Sequence, residues 1–128
     1  MELIKDWHKI LIKPTDDLRK GIKVLHNGGL RIVLIIDKNK KLLGTLTDGD
    51  LRRTILKGKK FSDSISECYH KTPINLTKGN FVQEDAKRLL LNEKLDLIPV
   101  VDEEGQVVNY ITWADIDGVK KPKENNID

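Results

Sequence analysis

Thr47, Asp48, Asp50, Arg52 and Arg53 fall in one short string, Gly44-Thr45-Leu46-Thr47-Asp48-Gly49-Asp50-Leu51-Arg52-Arg53. An apolar strand that ends here and turns at once into a helix would set these groups at the helix start. The Thr47 hydroxyl then accepts a backbone N–H of the first turn, and Asp50, three residues on, closes a capping box. The unpaired N–H groups and positive dipole end of such a helix suit an anion such as phosphate. The Asp50 carboxylate can accept from a pair of sugar hydroxyls, and Arg52 and Arg53, one turn in, can donate to phosphate. A plainer purpose fits the same residues: Thr47 and Asp50 merely cap the helix, and the two arginines face solvent.

Other chemistry finds little support. His8, His26 and His70 lie far apart and lack the paired spacing of a metal site. Cys68 stands near His70, but residues so close on a helix point in different directions, which argues against a nucleophile–base pair. There is no P-loop and no Gly-x-Gly-x-x-Gly after a strand. The residues offer binding chemistry rather than bond-making chemistry, and this stretch is not expected to be an enzyme by itself.

The key string occurs twice. Sixty-five positions on, Tyr110-Ile111-Thr112-Trp113-Ala114-Asp115-Ile116 repeats the Thr-x-x-Asp-apolar pattern, with Thr112 matching Thr47 and Asp115 matching Asp50. At the same offset Val33-Leu34-Ile35-Ile36-Asp37 corresponds to Ile98-Pro99-Val100-Val101-Asp102. One capping box arises easily by chance, whereas two in equivalent places of a repeat point to a shared architecture.

The elements that would hold these groups follow from the apolar spacing. Residues 1–12 predict a short lead-in helix around Trp7 and then an extended piece that ends at Pro14. Thr15 is placed to cap a helix with Asp16 and Asp17 in its first turn; Leu18, Ile22, Val24 and Leu25 face the core, and Asn27-Gly28-Gly29 ends it. Residues 31–37 read as a strand buried on both faces, and 42–46 return after the polar turn 38–41. A helix over 48–57 carries Leu51 and Ile55 on one face and stops at Gly58. The connector 61–72 has Ser62 and Ser64 as caps of a short helix around Ile65 and Glu67, and residues 74–76 open the second unit. Asn80, with Gln83 three residues on, is expected to cap a helix whose stripe is Val82, Ala86, Leu89 and Leu90. Strands over 97–102 and 106–111 flank Glu103-Glu104-Gly105, and the Thr112 helix is short. Residues 119–128 read as a linker, so the stretch is expected to be the front part of something larger.

Composition narrows the classes. The 128 residues are 38% hydrophobic and 34% charged, enough for one compact domain or two small interlocked ones. The net charge of +3 is too slight to imply nucleic acid. No apolar run approaches the roughly 20 residues of a membrane span, and the N-terminus lacks a signal-peptide core. Cys68, the single cysteine, forms no internal disulfide and fits a reducing cytoplasm, where the protein is expected to reside, with neither nucleic acid nor membrane as a partner.

The order helix, strand, turn, strand and Thr-x-x-Asp helix, present twice from Asp6 to Gly118, resembles a pair of CBS domains, a Bateman module. The resemblance implies an α+β fold of two tandem β-α-β-β-α units, residues 1–66 and 67–118, with a tail over 119–128. The units would pack by pseudo-two-fold symmetry with their sheets face to face. Trp7, Gly28-Gly29-Leu30-Arg31 and the string through Arg53 are further similar to the CBS pair that precedes bacterial sugar-phosphate nucleotidyltransferase domains. The Thr-Asp-Gly-Asp-Leu-Arg-Arg string is also similar to the CBS pair of arabinose-5-phosphate isomerases.

By the same resemblance, two clefts form between the units and take an adenine nucleotide such as AMP, ADP or ATP. Asp50 and Asp115 would accept from ribose hydroxyls, while Thr47, Asp48 and Thr112 would lie beside the phosphates with Arg52 and Arg53 in reach. Ile12, Lys13, Ile74 and Asn75 would flank the adenine through backbone groups, with Leu34, Ile35, Pro99 and Val100 as apolar walls. Two departures matter: Asn109-Tyr110 stands where the first unit has Gly44-Thr45, and Trp113 follows Thr112 directly. These groups narrow the second cleft, or Trp113 stacks on a base. A site that uses Asp50 is therefore expected to bind more readily than one that uses Asp115. The implied role is a regulatory module that senses the nucleotide and biases an attached sugar-phosphate nucleotidyltransferase through a difference in affinity between two arrangements. The alternatives are a structural dimerisation module without ligand and the CBS pair of an isomerase. A homodimer and an attached catalytic domain are the implied partners.

Overall fold

The structure is a computed structural model and describes residues 5–116, so the tail expected over 119–128 lies outside the described residues. Two three-stranded sheets account for the two units. In the first, β1 (Leu11–Ile12) pairs in parallel with β2 (Ile32–Ile36), which pairs antiparallel with β3 (Leu42–Thr47). In the second, β4 (Leu76–Thr77), β5 (Leu97–Val101) and β6 (Val107–Thr112) repeat that arrangement. The parallel strands are joined by α1 (Leu18–Gly28) and α3 (Gln83–Asn92), and α2 (Asp48–Leu56) follows β3. After β6 comes only a 3₁₀ turn, Trp113–Asp115, where the repeat led to an expected helix. Each central strand is covered on both faces, which is why β2 and β5 read as unbroken apolar runs.

The starts of α1 and α3 follow carboxylates rather than the residues expected from the sequence. Asp17 is the N-cap of α1 and accepts from Lys20 N at 2.8 Å, whereas Thr15 lies outside the helix. Gly29 ends α1 in the left-handed region at φ 72°, the conformation that favours glycine. For α3 the Asp85 carboxylate reaches back to Val82 N at 2.9 Å, so neither Asn80 nor Gln83 makes the cap. Val82 is accordingly 64% exposed, and the buried stripe consists of Ala86 and Leu90. In the connector Ser64, not Ser62, caps the 3₁₀ turn Ile65–Glu67 by accepting from Ser66 N at 3.1 Å.

The two units meet about a pseudo-two-fold axis that the hydrogen bonds make explicit. Leu42 N donates to Gly105 O and Val107 N donates to Lys40 O, each at 3.0 Å, and the two bonds interchange under the sixty-five-residue offset. Beside them a shared core gathers Ile10, Leu34 and Ile36 from the first unit and Leu97, Val101, Val107 and Tyr110 from the second. Each unit keeps its own core on the outer face of its sheet, around Leu18, Leu46 and Ile65 in one and Leu90, Ile98 and Trp113 in the other. The connector is tied down over the first unit by Leu18 N to Asp63 O and Ile65 N to Asp16 O, at 3.0 and 2.9 Å. Among the described residues no helix is long and apolar enough to cross a membrane, and no His/Cys/Asp/Glu cluster could hold a metal ion.

Candidate functional site

The start of α2 is built as the sequence implies. Thr47 Oγ1 accepts from Asp50 N at 3.1 Å, and Asp50 Oδ2 accepts from Thr47 N at 2.9 Å. The second Asp50 oxygen, Oδ1, takes a hydrogen bond of 2.5 Å from Arg53, while Arg52 pairs with Asp48 at 2.8 Å one turn apart. Both arginine side chains are about two-thirds exposed, at 67% and 66%, so solvent competes for these pairs and each costs little to rearrange. Capping and ligand recognition are thus not exclusive here: the box orients a carboxylate that remains 18% exposed.

This helix start opens on a cleft of about 480 Å³ between the units. Thr45, Thr47, Asp48, Gly49 and Asp50 form one wall, and His70 of the connector with Pro73 and Ile74 after it form a second. The third comes from the two helix-to-strand joints, Leu30-Arg31-Ile32 and Lys94-Leu95-Asp96-Leu97, with Pro99 beyond them. At the repeat offset these joints are counterparts, so the pseudo-two-fold brings them to face one another across a single cleft. Arg31 and Lys94 both hold left-handed backbone, at φ 59° and 53°, an uncommon state for residues other than glycine.

Of the residues singled out from sequence, Thr47, Asp48, Asp50, Ile74 and Pro99 therefore come together, with Arg52 and Arg53 on the adjoining exposed helix surface. Others do not. Ile12 is 2% exposed and belongs to the first unit's core, and Lys13 lines a separate depression with Asp16 and Lys20. Asn75 turns its amide onto Pro73 O at 3.1 Å and does not line the cleft. Leu34 and Ile35 are core residues rather than cleft walls, and Val100 lines a separate cavity of about 500 Å³ with Phe81, Gln83 and Asn109. Short β1 and β4 strands draw Ile12 and the residues after Asn75 into the sheets, which is why the flanking role expected of these segments shrinks to Ile74. Missed from sequence were Arg31, His70 and Lys94; applying the repeat offset to the joints would have paired the segments that carry Arg31 and Lys94.

The second helix start differs. Asp115 Oδ2 accepts from Thr112 N at 2.7 Å and from Thr112 Oγ1 at 3.2 Å, so the hydroxyl points to the carboxylate instead of capping a backbone N–H. Lys5 forms an ion pair with Asp115, donates to Tyr110 O at 3.1 Å and lies 4.3 Å from the centre of the Tyr110 ring. Tyr110 is buried at 6% exposure. Trp113 is not available to stack on a base: it is 8% exposed, packs in the second unit's core, and donates from Nε1 to Leu95 O at 3.0 Å.

Burial, and after it the charges of Asp115 and Asp6, push the Tyr110 phenol above its usual range near 10. The neutral phenol is thus favoured by folding, and the unfolded chain ionises first as pH rises. This contribution to stability is present in full below about pH 10 and is lost as pH rises through the folded value. Urea unfolding from pH 9 to 11 is expected to show a shallower alkaline loss in Tyr110→Phe than in the parent; equal slopes would contradict it.

Comparison with known proteins agrees with this architecture. The CBS domain family profile matches residues 4–57 and 79–119. Inosine-5'-monophosphate dehydrogenase of Aquifex aeolicus is 27% identical over 117 residues, which are 91% of this chain and 23% of that enzyme. The arabinose 5-phosphate isomerase GutQ of Salmonella typhi is 36% identical over 92 residues, 71% of this chain and 28% of the isomerase. The chain thus spans about a quarter of the length of these enzymes. Among solved structures, the CBS-pair protein CBSX2 of Arabidopsis thaliana in complex with AMP superimposes with a TM-score of 0.71 at 25% identity, covering 83% of this chain and 82% of that one. Two matched segments, a duplicated Thr-x-x-Asp strand-to-helix turn and two sheets about a pseudo-two-fold axis place the chain in the CBS domain family, as a tandem pair.

Proposed function

We propose that this CBS pair is a regulatory module that binds an adenine nucleotide in the cleft at the start of α2. The observation that carries the reading is the meeting of Asp50, Thr47 and the α2 N-terminus with the Ile74 and Pro99 walls in one open cleft. A carboxylate for ribose hydroxyls, a helix start with Arg31 and Lys94 nearby for phosphate, and apolar walls for the base supply the three parts of a nucleotide site. The AMP complex of CBSX2 supports adenine nucleotides as the first ligands to try. AMP, ADP and ATP are the proposed candidates, and Asp50 rather than Asp115 the residue on which binding depends.

Thermal unfolding with AMP, ADP, ATP, GTP, CMP and S-adenosylmethionine tests this. A ligand at one hundred times its dissociation constant adds about 2.7 kcal/mol, which raises Tm by several degrees. Asp50→Ala is expected to remove the shift and Asp115→Ala to keep it. Loss of the shift in Asp115→Ala alone would overturn the assignment.

The proposed output is control of an attached catalytic domain. Ligand would act through its different affinity for two arrangements of the pair. The Trp7, Gly28-Gly29-Leu30-Arg31 and Gly44–Arg53 resemblances favour a sugar-phosphate nucleotidyltransferase as that domain, with an arabinose-5-phosphate isomerase, to which the Thr47–Arg53 string is also similar, as the second choice. The coding sequence on either side of these 128 codons decides between them. A structural role in homodimerisation is the second reading, favoured by Ile55 and Leu56, which are 37% and 80% exposed near the end of α2. No thermal shift with any nucleotide, together with a concentration-dependent dimer in sedimentation, would support it over the sensor.

A further inference from the structure

The two Thr-x-x-Asp turns of the pair are not equivalent, and the repeat shows where the difference arises. In the first unit Asp50 finds its cation locally, in Arg53, three residues along α2. The counterpart of Arg53 at the sixty-five-residue offset is Gly118, so the Asp115 turn has no arginine at that place. Its cation comes instead from the other end of the chain, through the ion pair with Lys5. The counterpart of Lys5 is His70, and the counterpart of Tyr110 is Thr45. His70 and Thr45 bond only through their backbones, N to O at 2.9 and 3.0 Å, and the cleft beside them stays open. Lys5 and Tyr110 meet otherwise: the ammonium group donates to Tyr110 O at 3.1 Å and lies 4.3 Å from the ring centre.

We propose that Lys5 is a tethered cation that occupies the second cleft of the pair and closes it to nucleotide, making Lys5 the residue that decides which cleft is available. The ammonium group sits on the Asp115 carboxylate that a ribose would need, at the Oδ2 oxygen that also accepts from Thr112. The two carboxylates are equally covered, at 17% and 18% side-chain exposure, but Lys5 is 15% exposed against 66% for the Arg53 that pairs with Asp50, so solvent competes far less for the Lys5 pair. The stem of Lys5 would lie where a ligand's sugar would have to enter. The availability of the second cleft is thereby linked to the placement of the lead-in segment that precedes the first unit.

The part of this that concerns nucleotide rests on the proposed function, and two measurements separate the two ideas. The first needs no ligand: a thermal cycle over the parent, Lys5→Met, Asp115→Asn and the double variant. Tm losses are expected to be non-additive, the double variant losing clearly less than the sum of the two singles; additive losses would overturn the contact. The second is calorimetric titration with AMP. The parent is expected to take one AMP per chain and Lys5→Met two, with the added site lost again in Lys5→Met/Asp115→Asn. One AMP per chain in both proteins would overturn Lys5 as the group that closes the cleft. Silence of both toward AMP strikes down the nucleotide reading of the first cleft, and the cycle then decides the Lys5 contact by itself.

Discussion

Gly44→Ala is expected to lower the stability of the protein by about 3 kcal/mol, at the upper end of the range for overpacking a well-filled site. The reason is a backbone meeting rather than a backbone angle. A Cβ at this position in β3 would overlap the His70 carbonyl oxygen and the edge of the Tyr69 ring. A flexible side chain could give way, but the His70 carbonyl accepts from Thr45 N while His70 N donates back to Thr45 O, which fixes it. The connector must therefore lift from the sheet, which loosens the bridge at Thr45 and moves His70, a wall of the Asp50 cleft. For a domain of this size a 3 kcal/mol loss corresponds to roughly 10 °C in Tm, and any nucleotide-induced shift should shrink with it. Gly49→Ala is the control. Its Cβ would meet only the Arg53 guanidinium at 3.4 Å and Thr47 Oγ1 at 3.7 Å, and alanine is the better helix former, so its stability should hold or rise slightly. A loss below about 1 kcal/mol in Gly44→Ala would mean that the connector does not lie against β3 as described.

The contrast between Gly44 and its counterpart Asn109 shows what the sequence can and cannot reveal. The repeat is legible because equivalent places carry the same residue types: apolar central strands, a polar turn and a Thr-x-x-Asp start. Those patterns are local, and each element they imply is present, except that the lead-in, connector and last helices are 3₁₀ turns, Trp7–Ile10, Ile65–Glu67 and Trp113–Asp115. Cap positions went astray where several capping residues stand together, as in Thr15-Asp16-Asp17, because the choice among them is settled by the tertiary turn. Asp16 is engaged by Lys13 N at 2.8 Å, which leaves Asp17 to start α1. The first cleft was half legible. Thr47, Asp48 and Asp50 are named by their motif, but Arg31, His70 and Lys94 arrive from distant segments that only the pseudo-two-fold brings near. Lys5 was invisible, since nothing local links it to a carboxylate 110 residues away.

The sequence leaves Trp113 either narrowing the second cleft or stacking on a base, and its replacement should produce the other large effect. In the linear pattern it stands inside the turn after Thr112, where a ring could face a ligand. That turn is a single 3₁₀ stretch, and its ring goes inward, between Ala86, Leu90, Ile98 and Ile111. Trp113→Ala removes a side chain that is 8% exposed and should cost about 3–5 kcal/mol, near the whole stability of a small domain. It also deprives Leu95 O of the indole donor at 3.0 Å. Leu95 lies in the joint that lines the Asp50 cleft, so the core of the second unit helps to hold a wall of the first site. Trp113→Phe separates the two effects: it keeps most of the ring volume but loses the hydrogen bond, and should cost about 1–2 kcal/mol. Urea unfolding of both variants, followed by titration with AMP, checks the order. If Trp113 instead stacked on a bound base, the alanine variant would keep its unfolding midpoint and lose only affinity. An inward ring requires the opposite order: stability falls first, and binding at the Asp50 cleft weakens only as far as the Leu95 joint is released.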